Sequence, residues 1–346
     1  MGFEPSYRAL SGQGELERRA AALEALLGAC RLCPHRCGID RLRDERARCH
    51  TGRQAVVSSY TAHLGEEPPL VGTRGIGNIF FGNCTLRCAY CQNHQISQQH
   101  RQEDRHRVSD ARLAEIMLEL QAQGCHAIGL VSPTHVAAQI VRALALAAGR
   151  GLSLPLVYNT SAFEEPEVLR LLEGIVDIYL PDLKYAENEM ALRYSGARQY
   201  VESARAAILE MHRQVGSALV LGEDGLVKRG LILRHLVLPN DLAGSRESLG
   251  WIRRSLGAEV TVSIMAQYYP VHRARAMPLL DRPLRVSEYD RVIATLSRLS
   301  LEHGWAQELD AEAHYRPDFR DRARPFDVET TAAPRLQEAR RRSDVA

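Results

Sequence analysis

The chain has 346 residues, 45% hydrophobic and 25% charged, with a formal net charge of only +2. This is the make-up of an ordinary globular protein with one large core, and the near-balance of charge supplies no global field that would draw a nucleic acid or a membrane surface. No run approaches the roughly eighteen consecutive apolar residues needed to span a bilayer, and the start, MGFEPSYRAL, lacks a charged-then-apolar secretory pattern. The expectation is a cytoplasmic protein without a membrane or nucleic-acid partner.

Residues 14–29, GELERRAAALEALLGA, carry leucines and alanines at helical spacing with charges opposite, which predicts an amphipathic helix. It leads into Cys30, Cys33, Cys37 and Cys49, a Cys-x2-Cys-x3-Cys-x11-Cys set with Pro34, Gly38 and Gly52 for turns. Four soft ligands in so short a span fit either structural zinc or an accessory iron–sulfur cluster, and spacing alone does not select between them. A closed site of this kind holds structure or carries electrons. The next three cysteines, Cys84, Cys88 and Cys91 in FFGNCTLRCAYCQNHQIS, form a Cys-x3-Cys-x2-Cys run after a short apolar segment. A cubane cluster takes four ligands, so three leave one iron open to a small molecule. The eighth cysteine, Cys125 in QAQGCHAIGLV, reads as a small buried hydrophobe.

From residue 77 onward, β-rich runs alternate with helical patterns. The runs are 77–83, 127–133, 154–160, 176–184, 231–240 and 259–270; helices are expected between them at 110–123, 135–148, 165–174, 202–216 and 245–257, with another over 287–304. Such alternation is an α/β fold with a parallel sheet, whose ligand site lies at the carboxyl ends of the strands whether the sheet is open or closed. The cysteine trio follows the first run and belongs to that end. The glycines of GTRGIG precede a strand and so do not form a dinucleotide fingerprint, which follows one. After Pro317 the sequence is polar and without periodicity, which reads as a mobile tail.

The trio with Tyr90 between its last two cysteines resembles the cluster motif of the radical S-adenosylmethionine (SAM) superfamily. The segments CRLCPHRCG, GEEPPLVGTRGIGNIFFGNC, CAYCQNH, PDLKY and LRHLVLPN resemble its PflX-type members, relatives of pyruvate formate-lyase activating enzyme. The resemblance implies a partial (β/α)6 TIM-like barrel of the radical SAM type with an N-terminal four-cysteine metal-binding extension, divided as extension 1–72, barrel with C-terminal helix 73–315, and tail 316–346. It implies a 4Fe–4S cluster on Cys84, Cys88 and Cys91, SAM on the open iron, and an electron donor such as flavodoxin or ferredoxin. By the same resemblance Tyr90 lies near the adenine. Asp182 and Lys184 match a DLK segment beside the SAM carboxylate and a monovalent cation, and two residues spaced by two on a strand share a face. VSPTH stands where many relatives carry Gly-Gly-Glu, a departure that leaves Ser132 and Thr134 to meet the methionyl amino group. Asn159 and Thr160, Arg234, His235 and Asn240, and Gln267, Tyr268 and Tyr269 are further rim candidates, although Arg234 and His235 point to opposite faces. No catalytic residue is assigned beyond the cluster.

The functional expectation is reductive cleavage of SAM to a 5′-deoxyadenosyl radical that abstracts hydrogen from an unidentified substrate, with a glycyl-radical enzyme, a protein substrate, as one candidate. The rival from another class is a metal-stabilised nucleic-acid or protein interaction module built on the four-cysteine knot and HRQEDRHR (100–107), whose acids dilute its positive field.

Overall fold

The computed structural model describes residues 3–309, 311 and 316–326. Its strands are β1 (Ala55–His63), β2 (Ile76–Phe81), β3 (Arg107–Val108), β4 (Ile128–Val131), β5 (Leu156–Thr160), β6 (Ile178–Pro181), β7 (Val220–Leu221), β8 (Val227–Leu236), β9 (Thr261–Met265) and β10 (Gly304–Ala306). Along the sheet they run β10-β9-β8-β6-β5-β4-β2-β1-β3, with β7 paired to β8. The six expected runs are β2, β4, β5, β6, β8 and β9, and they pair in that order, all parallel. Helices Asp110–Ala122, Ala137–Gly149, Pro166–Leu171, Tyr200–Val215 and Ser245–Leu256 fill the crossovers as the periodicity predicts. Parallel neighbours need such crossovers, because a hairpin cannot join them.

Side chains alternate across each strand, so the sheet has two different buried faces. One carries Ile76, Val157, Ile178, Leu180, Ile232 and Trp305, which form a small apolar cluster of their own. Phe80 of β2, Asn159 of β5, Arg234 of β8 and Met265 of β9 wall one cavity on this face, so strands far apart in the sheet order approach one another and the sheet curls into a partial barrel. The other face packs on the helices and forms the larger core.

Three parts of the chain differ from the sequence expectation. β1 has no counterpart among the expected strands, yet it pairs antiparallel with β2 over Val57↔Phe81 to His63↔Ile76. The boundary drawn at residue 72 therefore cuts a continuous sheet, because AVVSSYTAH buries both faces at its start and lacks a clean alternation. β10 is likewise absent from the expected strands; three residues show no period. Gly304 begins it with φ 128°, and a Cβ there would lie 1.8 Å from the Val262 carbonyl oxygen, so only glycine permits this close pairing. Finally, residues 316–326, expected to be mobile, are docked. Phe319 is buried against Phe80, Phe326 packs on His63 and Phe80, and Arg322 binds Glu103, itself fully buried, at 2.6 Å. Two aromatics and one arginine supply the anchoring that a polar average conceals. Residues 327–346, the rest of the expected tail, lie outside the described residues.

Candidate radical SAM site

Cys84, Cys88 and Cys91 sit on the loop leaving β2, at the carboxyl ends of the parallel strands. The thiols are electrostatic neighbours: Cys88 and Cys84 both act on Cys91, and burial and these neighbours push the Cys91 thiol up to about 12. Burial, then Cys88, likewise raises Cys84. Three thiols so placed cannot ionise together unless a cation compensates them, which is the condition that cluster iron meets. Hydroxyls already serve the sulfurs: Ser195 Oγ donates to Cys88 Sγ at 3.0 Å, and Ser97 Oγ lies 3.3 Å from Cys91 Sγ. Among the described residues no group of three or more His, Cys, Asp or Glu is arranged to hold a metal ion as it stands. A cysteine re-aims its sulfur by one χ1 rotation between staggered wells, so the backbone loop need not change for the trio to converge. The donor set thus fits a cubane with one open corner.

Next to this loop is a cavity of about 130 Å³ inside the curled sheet, walled by Asn159, Arg234, Met265, Gln267, Phe326 and Gln92, the residue after Cys91. Its polar floor is a charge cluster. Arg234 pairs with both Glu66 and Glu67, and Asn78 Nδ2 donates to Glu66 at 2.8 Å. Burial alone would raise the Glu66 carboxyl, but Arg234 holds it well below the usual range. Sequence reasoning missed Glu66, Glu67, Asn78 and Gln92; the doubled acid in GEEPP was the available signal.

Asp182 and Lys184 converge as the period-two argument requires, with Nζ 2.6 Å from Oδ2 and both half-buried. Burial acts to neutralise the ammonium, yet Asp182 and then Cys88 more than offset it, so Lys184 stays charged. Lys184 in turn appears among the charges acting on Cys84. This ion pair therefore belongs to the cluster loop. Asn159 reaches the cavity wall.

Several candidates lie elsewhere. Thr134 and Thr160 both donate to Glu164, a fully buried carboxyl on the helix side of the sheet, so Thr134 does not face the cavity. The reason is parity: Thr160 follows the inward Asn159 and must point outward. Burial pushes the Glu164 carboxyl up to about 7, against the pull of both hydroxyls. Ser132 adopts φ 58° where β4 turns, its N–H bonded to Asn159 O at 2.9 Å, and its side chain is not part of the cavity wall. Tyr90 is buried edge-on to Tyr185 and Tyr268, with centroids 6.5 and 6.0 Å away, packing the loop instead of facing the cavity. His235 points away from Arg234, bound to Leu183 O and Ser245 Oγ. Asn240 binds Leu279 O and the Glu288 carboxylate. Tyr268 donates to Leu280 O, and Arg316 lies over the Tyr269 ring. Cys125 is buried 3.3 Å from where a Gly77 Cβ would lie.

Residues 78–223 match the model of the radical SAM superfamily. This segment belongs to that superfamily. Its members use a 4Fe–4S cluster and SAM, and the matched segment contains all three cysteines of the trio together with Asp182 and Lys184. The uncharacterized protein MJ0674 of Methanocaldococcus jannaschii is 29% identical over 280 residues, 79% of this chain and 75% of that protein. Among solved structures, SuiB of Streptococcus suis bound to S-adenosylmethionine aligns with TM-score 0.43 at 11% identity, over 66% of this chain and 50% of SuiB. HydG, a maturase of the FeFe-hydrogenase, aligns at 0.42 and 12%, over 65% of this chain and 49% of HydG. The chain thus spans about half the length of these two structures. No helix among the described residues is long and apolar enough to cross a membrane.

Proposed function

We propose that this radical SAM protein binds SAM where the strands of the parallel sheet end, cleaves it reductively, and directs the resulting radical at a substrate held over the Arg234 cavity. The observation that carries this reading is the convergence of the cysteine loop, the Asp182–Lys184 pair and the cavity on one end of the sheet. The cluster, when bound, supplies the electron that breaks the sulfonium bond. Lys184, kept charged by Asp182, offers an ammonium to the SAM carboxylate. Ser195 and Ser97 donate to the sulfurs and lessen their charge.

An external one-electron carrier of the flavodoxin or ferredoxin type is the reductant. The activating-enzyme form of the reading makes a backbone glycine of a partner protein the hydrogen donor. Ligand pockets usually measure about 300–1,000 Å³, so the cavity at about 130 Å³ needs residues 316–326 to leave before SAM and such a partner are both seated. The arginines of 100–107, on which an interaction module would rely, are partly spent internally: Arg107 pairs with Asp44 and Asp104.

Anaerobically purified, iron-loaded protein should release 5′-deoxyadenosine from SAM once reduced by dithionite, and C84A, C88A and C91A should each abolish this. Retained cleavage in those variants would end the proposal. A doublet glycyl-radical signal in a partner protein checks the narrower form.

A further inference from the structure

The inside of the curled sheet changes chemistry within one pleat. Ile76, Val157 and Ile232 belong to its apolar cluster, and the residues two positions further along the same strands, Asn78, Asn159 and Arg234, face the same way. Asn159, Arg234 and Ser263 of β9 wall the cavity, and Asn78 holds Glu66, which also lines it. A polar layer thus follows an apolar one on the way to the cysteine loop.

This layer carries more negative charge than the chain itself balances. Glu66 and Glu67 reach in from the turn between β1 and β2, and both meet the single guanidinium of Arg234, whose Nε donates to Glu67 at 2.8 Å. Lys184 is already matched by Asp182 at 2.6 Å. His63 does not supply the missing charge, because burial lowers its proton affinity and outweighs the attraction of Glu66. One carboxylate charge is left over beside the cavity, in a cluster whose three side chains are each no more than 10% exposed. A desolvated charge without a counter-charge is costly, so the cavity favours a cation.

Two further side chains in the wall are without partners. His63 is 7% exposed and Ser263 4% exposed, both line the cavity, and among the described residues neither side chain makes a hydrogen bond. Buried polar groups are normally satisfied, and each of these can accept from an N–H. The imidazole argues against an alkali or alkaline-earth ion, which takes oxygen ligands. So do the apolar walls of Phe80 and Met265, which suit a carbon skeleton. At about 130 Å³ the cavity lies well below the usual ligand pocket of about 300–1,000 Å³, so what enters it is small.

We propose that this cavity recognises a small organic ammonium ion as the binding group of the substrate, with Glu66 and Glu67 supplying the charge and His63 and Ser263 accepting its remaining N–H bonds. The inference rests on the radical SAM reading for the chemistry and deepens it by naming the substrate class.

The test uses the full-length, iron-loaded protein with saturating SAM and no reductant, so that binding is measured without turnover. In calorimetric titration n-butylammonium chloride should bind at least about tenfold more tightly than 1-butanol, the worth of one hydrogen bond to a charged group. E67Q should erase that preference. Equal affinity for amine and alcohol in the wild type would overturn the proposal. So would displacement of the amine by equimolar potassium chloride, or its exclusion by SAM, which would give the cation's place to SAM itself. If E67Q does not fold, S263A takes its place: it should weaken the amine, and unchanged affinity would be fatal. Amine binding without 5′-deoxyadenosine on later reduction would end the catalytic reading and leave this site standing; SAM cleavage without amine binding would do the reverse.

Discussion

Asn159 and Thr160 are consecutive in β5, and Arg234 and His235 in β8, yet each pair is divided between two chemically different interiors. On the concave face, Arg234 is ionised between Glu66 and Glu67 beside a cavity. On the helix face, Glu164 is held near neutrality by burial, with Thr134 and Thr160 as its donors. The first arrangement keeps charge beside a cavity, and the second suppresses charge within the packing between sheet and helices. A one-residue step along a strand thus separates recognition from architecture.

The contrast is broken most severely at Arg234. R234A leaves Glu66 and Glu67 without their arginine counter-charge and should cost about 3–5 kcal/mol of stability, read as a lowered denaturant midpoint, whereas H235A should leave the cavity charge unaltered. A loss below that of an exposed ion pair would show the cluster to be solvated.

On the helix face the effect depends on pH. Glu164 has a folded value of about 7, above its unfolded carboxyl value, so the folded state binds the extra proton in the window between them. Stability should therefore be greatest at the acid side of that window and fall as pH rises towards about 7, by on the order of 2–3 kcal/mol. E164Q should flatten this part of the profile when unfolding is compared with wild type at pH 5 and pH 8. A wild-type-like slope in E164Q would assign it to other groups.

The smallest expected effect tests whether Lys184 belongs to the ligand side. K184M should weaken SAM binding by about 2 kcal/mol, roughly thirtyfold in Kd, measured by titration of the iron-loaded protein, while the cluster spectrum is retained. Unchanged affinity would make the Asp182–Lys184 pair structural.

Much of the site was legible because it depends on local spacing. Cys84, Cys88 and Cys91 occupy one loop, Asp182 and Lys184 share one strand face, and the parity of Arg234 and His235 follows from the pleat. The placement of Thr134 and Tyr90 was not legible. Both stand in the right motif, but their orientation depends on Glu164 and on Tyr185 and Tyr268, which are distant in sequence or reached only through the fold. The N-terminal segment failed for the same reason: nothing local in β1 or GEEPP announces that they pair with β2 and Arg234, 12 to 168 residues away by the bonds that join them.

By itself the sequence determined the α/β alternation, the six main strands and the closely spaced cysteine trio, since period and ligand spacing are properties of short stretches of chain. Only the tertiary structure decided the order of the strands, which polar groups share a cavity, which buried carboxyl is pushed up, and that Pro317 and Phe326 help to line that cavity. Burial and charge pairing arise between segments that the chain brings together from afar, and their energies do not exist until it folds.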